Sequence, residues 1–112
     1  MANATVVGTP TPIGNFWLVQ VDHTGPASYN NTGTFATSGE TLNATDLGFG
    51  GIVNVDGMVS NDGVNFIGVA SPVGNPAPLA SVALHWYTMN GTEVTNATNL
   101  STKTVRLQIL CV

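Results

Sequence analysis

Charge is scarce in this 112-residue chain, and positive charge is almost missing. Lys103 and Arg106 are the only basic residues, against six acids, for a net charge of −4. Charged residues make up 7% of the chain, where a typical domain carries about 25%. Two cations cannot build the basic face that neutralises nucleic-acid phosphates, so nucleic acid is not an expected partner. An anionic membrane surface is excluded on the same ground. Cysteine is nearly absent too: Cys111 stands alone, so no intramolecular disulfide can staple the fold. No apolar run approaches the roughly 18 residues that span a bilayer. The opening MANATVVGTPTPIG has neither a basic n-region nor an apolar h-region, and the expectation is synthesis and folding in a cytoplasm.

The polar surface must therefore be uncharged, and Asn and Thr supply it, at 12 and 15 residues. A solitary domain usually keeps clear of its neighbours with surface charge. Its lack here points to a static, assembled protein. An apolar content of 43% is ordinary and argues against disorder. The length suits one domain with a real core.

Hydrophobic periodicity is that of strands. NFWLVQVDH (15–23) puts Trp17, Val19, Val21 and His23 on one face and Leu18, Gln20 and Asp22 on the other. SVALHWYTM (81–89) alternates Val82, Leu84 and Trp86 with His85, Tyr87 and Met89, and Asn90-Gly91 turns it back. TVRLQILCV (104–112) alternates Val105, Leu107, Ile109 and Cys111 with polar positions. GIVNVDGMVS and VNFIGVAS flank NDG (61–63), which predicts a hairpin, and TFAT (34–37) reads as a short strand. PVGNPAP (72–78) reads as a loop. Residues 1–14, with TPTP at 9–12, read as an extended arm or edge segment, because proline blocks a central strand. One stretch speaks of helix. Asn43 can cap, Asp46 lies three residues on, and Gly48 can end a single turn, with Leu42 and Leu47 free to hold it to a core. The expected fold is all-β: one antiparallel sandwich or small jelly-roll-like barrel of about six to eight strands over 15–112, with one short helical turn.

Motifs for chemistry are missing. The chain has no G-x-S-x-G, Walker A, G-x-G-x-x-G or complete calcium loop, and His23 and His85 lack zinc spacing. No catalytic, cofactor or metal residue is assigned, and the chain is not expected to be an enzyme. His23 and His85 are expected on strand surfaces or an interface. Phe16, Trp17, Trp86 and Tyr87 are expected in core and inter-subunit packing, and Cys111 as a small buried hydrophobe. Six asparagines (3, 30, 43, 90, 96 and 99) begin N-x-[ST]. Without a leader segment, Asx and Thr turns account for the pattern better than glycosylation.

SGETLNATDLGFGGI (38–52) resembles the "GGESLTAADLGL" segment of small proteins encoded among tailed-phage head genes. ATNLSTKTVRLQIL (97–110) is similar to the same proteins' closing "DLSAxTVRVxA" strand, and GMVSNDGVNF (57–66) sits where they also turn. The resemblance covers about residues 15–112. It implies a capsid decoration or cement protein: a β-rich module, often trimeric, on the virion surface with the major capsid protein as partner. On that reading Thr9, Pro10, Thr11 and Pro12 form the capsid-contact arm, and His85, Trp86, Tyr87 and Met89 pack the trimer. The alternatives are a carbohydrate-binding or host-adhesion module on the virion, and a tail or head-completion subunit.

Overall fold

The structure is a computed structural model that describes residues 3–34, 38–70 and 78–112. Seven strands among these build two antiparallel sheets: β1 (Asn3–Ile13), β2 (Phe16–Thr24), β3 (Glu40–Asn43), β4 (Ile52–Gly57), β5 (Asn65–Ala70), β6 (Ser81–Thr88) and β7 (Thr104–Cys111). One sheet has the order β1-β2-β7-β4, the other β3-β6-β5. The architecture is an all-β sandwich, with two separate sheets rather than a closed barrel.

The core follows from the alternation. Val19, Val21 and His23 of β2 and Val105, Leu107, Ile109 and Cys111 of β7 face inward. Leu42 of β3 and Val82, Leu84 and Trp86 of β6 meet them from the other sheet. Asp22 and Arg106, opposite each other on the outer face of β2 and β7, form a bidentate pair, Nε at 2.8 Å and one terminal nitrogen at 3.0 Å.

The single helical turn is a 3-10 turn over Ala44–Leu47, with Leu47 and Ala44 buried and Gly48 closing it at φ +85°. Asn43 precedes it in extended conformation. Its side chain makes no backbone cap, and Nδ2 donates instead to Asp46 Oδ2 at 3.3 Å. Three of the six N-x-[ST] asparagines form Asx turns, while Asn43 bonds Asp46 and Asn96 Oδ1 accepts the N–H of Asn31. Asn30 Oδ1 accepts the N–H and hydroxyl of Thr32, Asn99 Oδ1 does the same for Ser101, and Asn90 Oδ1 accepts the N–H of Thr92.

Two expectations need correction. NDG does not join a hairpin, because β4 pairs with β7 in one sheet and β5 with β6 in the other. The turn is real: Gly63 has φ +75° and donates to Ser60 O. The loop is then tied to the start of β7, since Asn61 N–H donates to Thr104 O and Thr104 N–H to Asn61 Oδ1. The chain thus turns a corner between sheets, and only one bridge, Val59 with Phe66, survives of the pairing. The second correction concerns the histidines. Both are fully buried rather than on a strand surface. Residues 35–37 of the expected TFAT strand (34–37) and residues 72–77 of the expected loop (72–78) lie outside the described residues.

Residues 3–13 take the edge-strand form of the two readings. β1 pairs with β2 over Asn3–Val7 and again over Thr11–Ile13, with the register broken between. A two-residue turn, Gly14-Asn15, sets Ile13 opposite Phe16, with Gly14 at φ +59°. Bonded and non-bonded pairs alternate outward from such a turn. Pro12, opposite Trp17, therefore sits where an N–H would have pointed away from β2. Proline there removes a donor from the free edge and blunts pairing with a stray strand.

Candidate interaction surface

The aromatic side chains divide by burial. Trp86 is fully buried, whereas the β1–β2 hairpin tip leaves apolar surface bare: Ile13 is 48% exposed, Phe16 37% and Trp17 41%. Two more elements converge there. Trp17 is opposite Cys111 in the β2–β7 ladder, which brings Val112, also 37% exposed, to the same end. The half-buried Phe49, just past the helical turn, lies 6.3 Å ring to ring from Trp17. The N–H groups of Gly50 and Gly51 both donate to Val112 O, at 3.0 and 3.2 Å, so the exit from the helical turn is bolted to the end of β7. The packing at Gly51 has no room for a side chain, because a Cβ would lie 2.4 Å from Pro78 Cβ.

The result is one end of the sandwich carrying Ile13, Phe16, Trp17, Phe49 and Val112, flanked by the Thr-Pro edge of β1. Thr9, Thr11 and Pro12 are exposed and Pro10 is half-buried, so the four arm residues border this end as part of a paired strand. The four residues expected to pack a trimer are not together on the surface. His85 and Trp86 are buried inside the domain, while Tyr87 is half-buried and Met89 exposed. Strand alternation explains Trp86, which faces the opposite sheet with Val82 and Leu84. His85 points outward but is roofed by Tyr29 and Glu93.

The buried polar groups form two knots. Inside the sandwich, Glu40 Oε1 accepts from His23 Nε2 and from Trp86 Nε1, both at 2.8 Å. That carboxylate therefore joins the two sheets, and His23 and Trp86 rings lie 5.9 Å apart beside it. On the outer face of β6, Glu93 Oε2 accepts from Tyr29 Oη at 2.7 Å and from His85 Nδ1 at 2.9 Å. Tyr29 Oη in turn accepts the backbone N–H of Trp86 at 3.0 Å, taking the place of a strand neighbour. Burial pushes the Tyr29 hydroxyl strongly up, and its bond to Glu93 adds to this. Burial alone would raise Glu93, but the bonds from His85 and Tyr29 outweigh it and hold the carboxyl below its usual range.

A depressed carboxyl stabilises the fold above its unfolded pKa and loses that contribution as pH falls through the folded value. Asp22, bonded to Arg106, and Asp62, bonded to Lys103, act in the same direction from the surface. Urea unfolding is therefore expected to show stability falling from about pH 5 downward. Glu93→Gln, which keeps an acceptor for Tyr29, is expected to be less stable at pH 6 and to have a shallower acid slope. A slope as steep as the parent's would contradict the assignment.

All six acids accept hydrogen bonds within the chain, Asp56 from its neighbour Gly57 and Asp46 from Asn43. Among the described residues no group of three His, Cys, Asp or Glu could hold a metal ion. Burial raises the Cys111 thiol and keeps it protonated.

Sequence reasoning missed Glu40, Tyr29, Glu93 and the gathering of Phe49 and Val112 at the hairpin tip. Glu40 had a signal: it lies two residues from Leu42, hence on the same inward face of a short strand. The tip cluster had none, since it depends on which strand lies beside which. Comparison of the chain with protein-family models, with curated proteins and with solved structures finds no match.

Proposed function

We propose that this chain is a structural subunit of a tailed-phage head, a decoration or cement protein that seats as a trimer on the outside of the major capsid lattice and stabilises it. The observation that carries the proposal is the apolar end formed by Ile13, Phe16, Trp17, Phe49 and Val112. The first segment resembling phage head proteins ends beside it, since Ile52 pairs with Cys111, one residue past the second such segment. A bare aromatic cluster ringed by Thr and Pro suits a fixed protein partner. A lattice repeats one modest contact many times, and a trimer multiplies it again by multivalency.

The test is binding to capsids assembled without this subunit. Phe16→Ser/Trp17→Ser is expected to lower affinity by roughly 30-fold, as loss of about 2 kcal/mol at an aromatic anchor implies. Its unfolding midpoint should stay within a few degrees of the parent's, because neither ring is in the buried core. Unchanged binding by the folded variant would overturn the proposal.

One observation favours a second reading, a glycan-binding module. On the outer face of β5 and β6, the Phe66 and Tyr87 rings stack at 5.3 Å and 19°. Tyr87 lies over Gly68, where a Cβ would come within 2.7 Å of its ring. Retention on immobilised glycans, abolished by Tyr87→Ala, would support that reading over the first.

A further inference from the structure

We propose that Asn90 is a site of spontaneous self-modification, where the chain converts its own asparagine to aspartate or isoaspartate without an enzyme. The site shares no residue with the surface assigned to the capsid, and it stands without that reading. The step is an intramolecular acyl transfer. The Gly91 nitrogen attacks Asn90 Cγ and forms a new C–N bond. The bond from Cγ to Nδ2 breaks, and Nδ2 leaves as ammonia with the proton that Gly91 gives up. Water then opens the resulting succinimide at either carbonyl, so one water is consumed for each ammonia released.

Asn90-Gly91 is the only Asn-Gly pair in the chain, and with no Cβ on Gly91 nothing crowds the attacking nitrogen. Both residues are exposed, and the space around Gly91 is open. The two ends of the Asn90 amide have different roles. Oδ1 accepts from the Thr92 N–H at 3.2 Å and from the Thr88 hydroxyl, whose alternative acceptor, Thr92 O, is at 3.2 Å. Nδ2 bonds to nothing among the described residues. The atom that must leave is thus the unanchored one. The oxygen that gains negative charge during the attack already faces two donors, the arrangement that stabilises an oxyanion. Aspartate can accept the same two bonds, so that product fits the turn. The Gly91 N–H donates to Thr88 O at 2.9 Å, so attack waits on transient opening of the turn and is slower than in a free peptide. Asn30 and Asn99 are internal controls. Each holds Oδ1 between the N–H and the hydroxyl of the residue two on. The next residue, however, is Asn31 or the buried Leu100, whose Cβ obstructs its own nitrogen. Conversion adds a negative charge to a chain of net −4, in the connection that also carries Glu93, so the charge of the chain changes with its age.

The test holds the full chain at 37 °C and pH 8 for four weeks, separates its charge forms by isoelectric focusing and maps its peptides by mass spectrometry. Most of the chain is expected to gain one negative charge, with the change at Asn90 and with Asn30 and Asn99 intact. Gly91→Ala, which restores the crowding in a turn with open space around it, should leave Asn90 unconverted over the same period. Thr88→Val should slow conversion about fivefold, the rate equivalent of one neutral hydrogen bond. Unfolding curves establish that both variants are folded. Asn90 left unconverted in the parent chain, or converted no faster than Asn30 and Asn99, would overturn the proposal. An unchanged rate in folded Thr88→Val would overturn the part assigned to the two donors.

Discussion

Glu40→Ala is expected to cost the domain about 2–5 kcal/mol, because it strands two buried hydrogen-bond donors at about 1–3 kcal/mol each. The carboxylate is almost wholly buried and is the common acceptor for His23 Nε2 and Trp86 Nε1. Without it, both donors are stranded between the sheets, and neither has water to turn to. A small domain has only about 5–15 kcal/mol in hand, so this one change would remove a large fraction of it. Urea unfolding at pH 7 reads the effect directly. Glu40→Gln keeps an acceptor oxygen and is expected to lose less. The interaction also predicts coupling: His23→Ala should cost less in the Glu40→Ala background than alone, because its bond is already gone. A loss below about 1 kcal/mol for Glu40→Ala would mean that the carboxylate does not join the sheets.

Gly39→Ala is expected to be the most damaging single-methyl addition, at about 2–5 kcal/mol from left-handed strain and overpacking together. Gly39 has φ +79°, and a Cβ there would sit 2.4 Å from Leu84 O and 3.1 Å from the His85 ring. Neither neighbour can yield. Leu84 is in β6, the middle strand of its sheet, and His85 is held beneath Glu93. Gly39 N–H also donates to Asn30 O at 2.7 Å, which fixes the loop that carries Tyr29. Gly48→Ala is the control, since Gly48 has a similar φ of +85° but open space around it. It should cost only the strain, about 1–2 kcal/mol. Equal losses for the two variants would show that the close approach at Gly39 does not exist.

These two sites mark the boundary of what the sequence discloses. Period-two alternation identifies β2, β6 and β7 and the residues they bury, since Val105, Leu107, Ile109 and Cys111 can face inward only together. Gly48 announces the end of the helical turn because that ending is a local backbone problem, whereas the cap expected of Asn43 does not form. Sheet membership is not local. NDG specifies a turn equally well within a sheet or between sheets, and the choice falls to β7, which takes β4 as its neighbour. The histidines fail for a related reason. His23 shows its inward face by alternation with Val21, but its partner Glu40 lies 17 residues on, and nothing in the spacing says that they meet. His85 alternates outward as expected and is buried only because Tyr29 and Glu93 close over it. The interaction surface is the least legible part. Trp17, Phe49 and Val112 are far apart in the chain, and only the ladders between β1, β2 and β7 gather them at one end.

On the proposed reading, the same buried knots have a functional consequence. A subunit that must stay rigid on a lattice gains from polar bonds that fix one arrangement of two sheets, and Glu40 supplies such a fastening in the middle of the sandwich. On the proposed reading its surface needs no charge for this work, and both of its cations are paired with carboxylates, Lys103 with Asp62 and Arg106 with Asp22.

The measurement that bears most directly on the proposed role is imaging of capsids assembled with this chain present, at a resolution that places individual subunits. The account predicts many copies at threefold positions on the outer shell, with the end carrying Ile13, Phe16, Trp17, Phe49 and Val112 covered by the capsid or a neighbouring copy. A few copies confined to a vertex or tail, or a lattice-bound subunit with that end turned to solvent, would contradict it.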